Sequence, residues 1–259
     1  MRKYILTLIS MKNFVFLAIL FISCEGTTQS RIAVNMPTAA SETDYIWSTL
    51  QDINFFEENK YPVNLPKGKL ITSLKNKAKE DNLSEKDYED LKLFVSDSVY
   101  KKAHYKKGYD KIKNELSTIN TMISELNNLS LDWSFKTFEV YKVNLTLYGP
   151  GGTYNPDEGS ILIYTTPNGE FKQYHNPANT IMHEIVHIGI QTSIIEKFNV
   201  PHAGKERIVD NFVLLSFKDD LPNYKLQDMG DNRIDAYLKT KNDLKFLNQF
   251  VSEMMKDNP

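Results

Sequence analysis

The strongest chemical signal in this sequence is a pair of histidines four residues apart, with a glutamate directly after the first. The motif runs from His183 through Glu184 to His187, and it follows Asn176 and Pro177, which are typical of a helix N-cap and first helical position. Residues four apart project from one helix face, so both imidazoles can bind one metal ion. Glu184 can then take a proton from a metal-bound water. The motif predicts His183 and His187 as metal ligands and Glu184 as a general base.

A third metal ligand must come from elsewhere in the chain, because a catalytic zinc site normally has three protein ligands. The single cysteine excludes a thiolate site of two to four Cys. A metzincin is also excluded, since Ile190 and Ser193 occupy the positions of its glycine and third histidine. Downstream, Glu206 and Asp210 lie four residues apart on a second amphipathic segment, where two like charges repel. Zinc and a ligand imidazole would compensate that charge.

The two motifs together resemble those of the gluzincin metallopeptidases, the group of thermolysin-like proteases and zinc aminopeptidases. HExxH is followed by 18 intervening residues and then by ExxxD, over about residues 177–216. The resemblance implies that Glu206 is the third ligand and that Asp210 hydrogen-bonds a ligand histidine. It also implies a sheet whose edge strand precedes the active-site helix and pairs with substrate, a position that 161–164 occupies here.

Two roles in the site have more than one candidate residue: the third metal ligand and the group that stabilises the oxyanion. His202 follows His187 by 14 intervening residues and is an alternative third ligand, or else a surface histidine beside Pro201. Gluzincins also use a downstream histidine or tyrosine to stabilise the oxyanion, but no histidine follows His202. Tyr224 and Tyr237 are the candidates for that role, and a packed or surface position is the ordinary alternative for either.

The elements that must position these residues are predicted from periodicity. Helical spacing of Leu, Lys and Glu dominates residues 45–131, where Ser84 and Asp87 form a predicted capping box. From Trp133 onward, β-type alternation begins, and a turn-rich loop separates two predicted strands. We therefore expect an α+β fold, mainly helical, with a small β-sheet next to the zincin active-site helix. Residues 132–259 would form the metallopeptidase core.

The N-terminus has the features of an export signal. Arg2 and Lys3 precede an apolar run at 14–22, which is too short to span a bilayer and suits the hydrophobic region of a signal peptide. Residues 1–23 are therefore predicted to be removed on export. Met11 is an alternative start.

The residues after this signal predict attachment to a membrane. Ser23 before Cys24 resembles a bacterial lipobox, although Phe21 stands where leucine is usual. Cys24 is then expected to carry lipid, and a plain cleaved signal is the alternative. The polar stretch 24–44 is predicted to be a flexible tether. The expected location is the bacterial cell envelope.

Composition narrows the partners. The chain has 259 residues with 31 Lys+Arg and 33 Asp+Glu. It therefore lacks the excess of basic residues that is typical of nucleic-acid-binding proteins, and nucleic acid is not an expected partner. The predicted function is hydrolysis of a peptide or protein substrate by a zinc-activated water. Two alternatives remain: a non-catalytic surface lipoprotein with a structural zinc site that binds a partner, and a hydrolase of a non-peptide amide.

Overall fold

The fold is described here from a computed structural model, which describes residues 30–171, 176–227 and 230–256. Within these ranges the chain forms α-helices, four strands and short 3-10 or π-helical turns. The α-helices are α1 (Ala39–Gln51), α2 (Ile53–Glu58), α3 (Lys69–Lys79), α4 (Glu85–Phe94), α5 (Lys106–Asn127), α6 (Pro177–Ile190), α7 (His202–Phe217) and α8 (Leu247–Lys256). The strands are β1 (Arg31–Asn35), β2 (Val140–Thr146), β3 (Gly152–Asn155) and β4 (Ser160–Tyr164). The prediction of a mainly helical α+β fold with a small sheet is confirmed.

The sheet is mixed and has the strand order β1-β2-β4-β3. β2 lies parallel to both β1 and β4, whereas β3 runs antiparallel to β4 and forms the edge. The expectation that residues 161–164 form the edge strand is wrong. Residues 152–155 lie within the stretch predicted as a loop, and they pair with the outer side of β4. Four residues with two glycines nearby carry too little alternation to predict a strand.

The predicted tether also needs correction. Of the segment 24–44, residues 31–35 form β1, which pairs with β2 from Arg31↔Val140 to Asn35↔Asn144. Helix α1 begins at Ala39, and the Thr38 side chain caps it. The strand is only five residues long, and its partner lies more than 100 residues away, so its stability comes from tertiary pairing that local composition does not encode.

The hydrophobic core has two parts, and the larger one crosses the predicted boundary at residue 131. A small cluster joins α1, α3 and α4 through residues that include Leu50, Leu74 and Leu91. The large cluster includes the sheet, α6, α7 and α8, and it also takes in α5 through Ile112 and Ile119. Helix α5 therefore packs with the metal-motif helix, so the predicted helical region does not pack as one unit. The capping box at Ser84 is confirmed at the start of α4.

The predictions for the N-terminus concern residues that are largely outside the described ranges. The signal peptide at 1–23, the lipid attachment at Cys24 and the tether up to residue 29 all lie there. Among the helices that the structure describes, none is both long and apolar enough to cross a membrane.

Candidate metal centre

Helix α6 places the HExxH residues in the interior. The Asn176 side chain accepts a hydrogen bond from the N–H of Ala178 at 2.8 Å, and Pro177 occupies the first turn, as predicted. Every residue of α6 is buried, because the helix packs against the sheet, α5 and α7. His183, Glu184 and His187 are therefore held on a helix whose position is fixed by the core on several sides.

Three donor atoms converge between α6 and α7. Nε2 of His183 and Nε2 of His187 lie 3.0 Å apart, and each lies 3.4 Å from Oε2 of Glu206. Tetrahedral bonds of about 2.0–2.1 Å to one ion would place the ligand atoms about 3.3 Å apart, which is close to these separations. All three side chains are buried. His183, His187 and Glu206 thus form a group that could hold a metal ion.

Electrostatics favour a cation at this point. Burial by itself would raise the pKa of Glu206, but the hydrogen bonds and charge interactions with His183 and His187 lower it overall. Burial lowers the pKa of His187 to about 4, which favours a neutral imidazole. A neutral imidazole and an ionised carboxylate are the protonation states in which these groups bind metal. His183 differs: burial lowers its pKa, but its contacts with Asp210 and Glu206 outweigh burial and raise the pKa to about 10, so a bound ion would displace its proton.

Glu184 lies beside the three donors and faces the same cleft. Its pKa is raised to about 7, first by burial and further by the charge of Glu206. The backbone of β3 passes directly over it: a Cβ at Gly152 would overlap with Oε1 of Glu184 and crowd Thr180. The glycine therefore leaves the space that this carboxylate occupies.

The side of His183 away from the donors is held by a hydrogen-bonded relay. Its Nδ1 lies 2.7 Å from the Tyr224 hydroxyl, which donates to Oδ1 of Asp210 at 2.7 Å. Oδ1 of Asp210 also lies 3.3 Å from Nδ1, and its Oδ2 accepts the Gln227 N–H at 2.6 Å. The structure thus places Asp210 behind His183 and adds Tyr224, which sequence reasoning had considered only for the oxyanion.

The other candidates are not among the three donors, although His202 lines the same cleft. His202 is outside the three-residue group: its Nε2 lies 2.6 Å from the Tyr61 hydroxyl, and its Nδ1 lies 3.7 Å from Oε1 of Glu206. Tyr237 stacks on Phe250, and neither Tyr237 nor Tyr224 lines the cleft. The prediction of an oxyanion-stabilising tyrosine therefore receives no support at either position.

The cleft next to the donors has a volume of about 510 Å³ and two chemically different walls. One wall comes from β3, α6 and α7 and carries the groups described above. The opposite wall comes from α1, α2 and the turn that follows. It includes four aromatic side chains, and Phe55 among them remains 46% exposed; the wall is lined by Tyr45, Phe55, Phe56 and Tyr61 together with Ser48, Thr49 and Asp52. Sequence reasoning missed this wall, because nothing in the local pattern of α2 indicates that its aromatic residues face a cleft.

Comparison of the chain with protein-family models, with curated proteins and with solved structures found no match.

Proposed function

We propose that this protein is a gluzincin-like zinc metallopeptidase that hydrolyses peptide bonds. The observation that carries the proposal is the convergence of His183, His187 and Glu206 at one point of a cleft, with the Glu184 carboxylate beside them. Glu206 lies on α7 and the histidines lie on α6, so the two motifs meet through the packing of these two helices. Asp210 completes the proposal as the residue that orients His183.

Zinc is the proposed ion because of the donor set. Two imidazoles and one carboxylate, without thiolates, match the three-ligand pattern of catalytic zinc in peptidases. When bound, such an ion would polarise the substrate carbonyl and acidify a water molecule. A purely structural site has no use for a buried carboxylate next to its ligands, which favours catalysis over a structural role.

Glu184 performs the proposed proton transfers. Its carboxylate takes a proton from the attacking water as the water oxygen forms a bond with the carbonyl carbon. The same group then delivers that proton to the amide nitrogen as the C–N bond breaks, so a carboxylic acid and an amine are released, and the acid passes its proton to the amine to give a carboxylate and an ammonium. Gly152 leaves the space that Oε1 of Glu184 occupies, since a Cβ there would overlap with this oxygen.

The test compares zinc content and peptide cleavage in the purified protein and in Glu184→Gln. The variant is expected to retain zinc, whereas cleavage of an unbiased peptide library falls by about 10²–10⁴-fold, the usual contribution of a general base. Glu170→Gln, an exposed position outside the cleft, is the matched control and should cleave as the parent does. Unchanged cleavage by Glu184→Gln would contradict the assignment.

The same experiment separates the two alternatives. Zinc binding without cleavage of any peptide, but with Glu184-dependent cleavage of a non-peptide amide, would favour the amide hydrolase. Zinc binding with no hydrolysis at all would favour a binding module.

We also propose that the protein is exported to the cell envelope and anchored by lipid at Cys24, on the sequence pattern alone. Cys24→Ala should move the protein from the membrane fraction to the soluble fraction, and persistence in the membrane fraction would contradict lipid attachment.

A further inference from the structure

The two histidines of the metal group are held on their outer sides by different means. His183 has the Tyr224 hydroxyl 2.7 Å from its Nδ1. The Nδ1 of His187 is buried, and among the residues that the structure describes it has no hydrogen-bond partner. A metal-binding imidazole usually donates this second N–H to an acceptor, which fixes the ring. Something else has to orient His187.

An aromatic ring, that of Tyr154, lies against the His187 imidazole. The Tyr154 ring lies parallel to the His187 imidazole, with 6° between the planes and 4.8 Å between the ring centroids. No other ring contact in the described part of the chain has planes closer to parallel. Rotation of the imidazole out of this plane would drive its edge into the tyrosine ring.

Tyr154 is itself held at both ends. Its backbone belongs to β3, where it pairs with Ile161 of β4. Its hydroxyl donates to Oε1 of Gln191 at 2.8 Å, and Gln191 lies four residues after His187 where α6 ends. Nζ of Lys205 lies 3.4 Å from the same hydroxyl. The ring is therefore a fixed surface, tied to the sheet and to the helix that carries the histidine.

We infer that Tyr154 is a positioning residue for the metal centre, which orients the His187 imidazole by ring stacking in place of a hydrogen bond. The inference rests on the proposed metal site but not on catalysis. Rotation of the imidazole would move Nε2 away from the point where it lies 3.0 Å from His183 and 3.4 Å from Glu206. A stacked aromatic pair is expected to change metal affinity by about 3- to 10-fold.

The test measures zinc affinity of the full-length protein by competition with a chromophoric chelator. Tyr154→Val, which suits a half-buried strand position, should bind zinc about 3- to 10-fold more weakly. Tyr154→Phe keeps the ring and loses the hydroxyl, so it should restore affinity to within about 2-fold of the parent. Tyr164→Val, on the neighbouring strand and outside the cleft, is the matched control and should bind as the parent does.

Thermal unfolding separates positioning from folding. Metal-free Tyr154→Phe and Tyr154→Val should unfold cooperatively, while the rise in melting temperature on zinc addition shrinks only for Tyr154→Val. Equal affinity of Tyr154→Val and the parent would overturn the inference and leave the proposed function intact. Equally weak binding by both variants would also overturn it, because the hydroxyl would then be responsible. Absence of zinc binding by the parent would overturn both proposals. If Tyr154→Val does not fold, Tyr154→Phe and Tyr154→Leu provide the same comparison.

Discussion

The two walls of the cleft carry different kinds of side chain. The wall formed by β3, α6 and α7 carries buried polar side chains, and these are joined to one another: Glu206 to both histidines, and Asp210 to His183 through Tyr224. The wall formed by α1 and α2 carries aromatic side chains that remain partly exposed, such as Phe55. The first is called here the chemical wall, and the second, which is rich in aromatic side chains, the apolar wall; under the proposed function, the apolar wall would contact the substrate.

The two walls also belong to different parts of the core. The chemical wall shares the large cluster with the sheet, whereas α1 packs in the small cluster with α3 and α4. The walls touch at His202 of α7, whose Nε2 lies 2.6 Å from the Tyr61 hydroxyl and whose ring contacts Phe55. On α1, the buried Glu42 accepts hydrogen bonds from the Tyr105 hydroxyl and the Leu147 N–H. Burial raises the pKa of Glu42. Because His202 lies outside the group of three donors, a change in the aromatic side chains should leave those donors in place, and the following predictions test that separation.

The largest effect is expected at the centre of the chemical wall. Glu206→Ala removes one of three converging donors and leaves two buried histidines, so zinc affinity should fall by more than the 10- to 100-fold typical of losing an outer partner. Metal analysis after dialysis checks this. His202→Ala, four residues earlier on α7 and outside the group, is the control and should retain zinc. Loss of zinc in both variants would assign His202 to the site.

A smaller effect is expected at Tyr224, which contacts His183 on the side away from the donor atoms. Tyr224→Phe removes the hydroxyl that links Asp210 to His183, and zinc affinity should fall by about 10- to 100-fold. Chelator competition measures this change. Tyr237→Phe, which stacks on Phe250 away from the cleft, should bind zinc as the parent does. If both variants bind equally well, the relay contributes nothing to the orientation of His183.

The apolar wall should respond in substrate binding alone. Phe55→Ala removes an exposed ring that lines the cleft, so KM for a cleaved peptide should rise by about 10-fold, or about 1.4 kcal/mol, with zinc affinity unchanged. Steady-state kinetics on the proposed peptidase activity provides the measurement. Leu93→Ala, on α4 and 63% exposed, is the matched control. A change of KM in the control would show that the effect is not confined to the cleft.

The smallest effect concerns the stability of the small cluster. The Lys77 ammonium, and then the Ser84 hydroxyl, lower the pKa of Asp87 in the folded state. The ionised Asp87 carboxylate therefore stabilises the folded state fully at pH values above its unfolded pKa of about 3.9. This stabilisation is lost as pH falls through the lower pKa that Asp87 has in the folded state. Asp87→Asn should reduce the free energy of unfolding by about 0.5–1 kcal/mol at pH 7.

Urea unfolding at pH 7 and at pH 3 measures this difference, which should shrink at the lower pH. Zinc affinity at pH 7 should stay at the parent value, since Asp87 lies in the helices behind the apolar wall. Weaker zinc binding by Asp87→Asn would show that the two walls are coupled.

The features that could be predicted depend on local rules. The start of α6 at Pro177 follows from a side-chain cap and a residue with a fixed φ angle, and the start of α4 follows from the Ser84 capping box. The side-by-side position of His183 and His187 follows from the helical repeat alone. Each of these involves residues within about five positions of one another, so the sequence states the geometry directly.

The features that were missed depend on contacts between distant segments. β1 and β3 are short strands whose pairing partners, not their composition, make them strands. Tyr61 and Tyr154 are two of 14 tyrosines, and nothing near either in the sequence indicates contact with a histidine. Tyr224 was considered for the oxyanion or as a packed residue, and its contact with His183 was missed, since sequence offers no means to tell which side of His183 it faces.

By itself, the sequence determined the α6 helix, the pair of histidines on one face and the glutamate between them, because helical periodicity fixes these relations. It also supplied Glu206 and Asp210 through the spacing that resembles a gluzincin. Only the tertiary structure decided that Oε2 of Glu206 lies 3.4 Å from both imidazoles, that Tyr224 and Tyr154 flank them, and that α2 faces them across a cleft. These relations arise from packing in a shared core, where position depends on every neighbour at once.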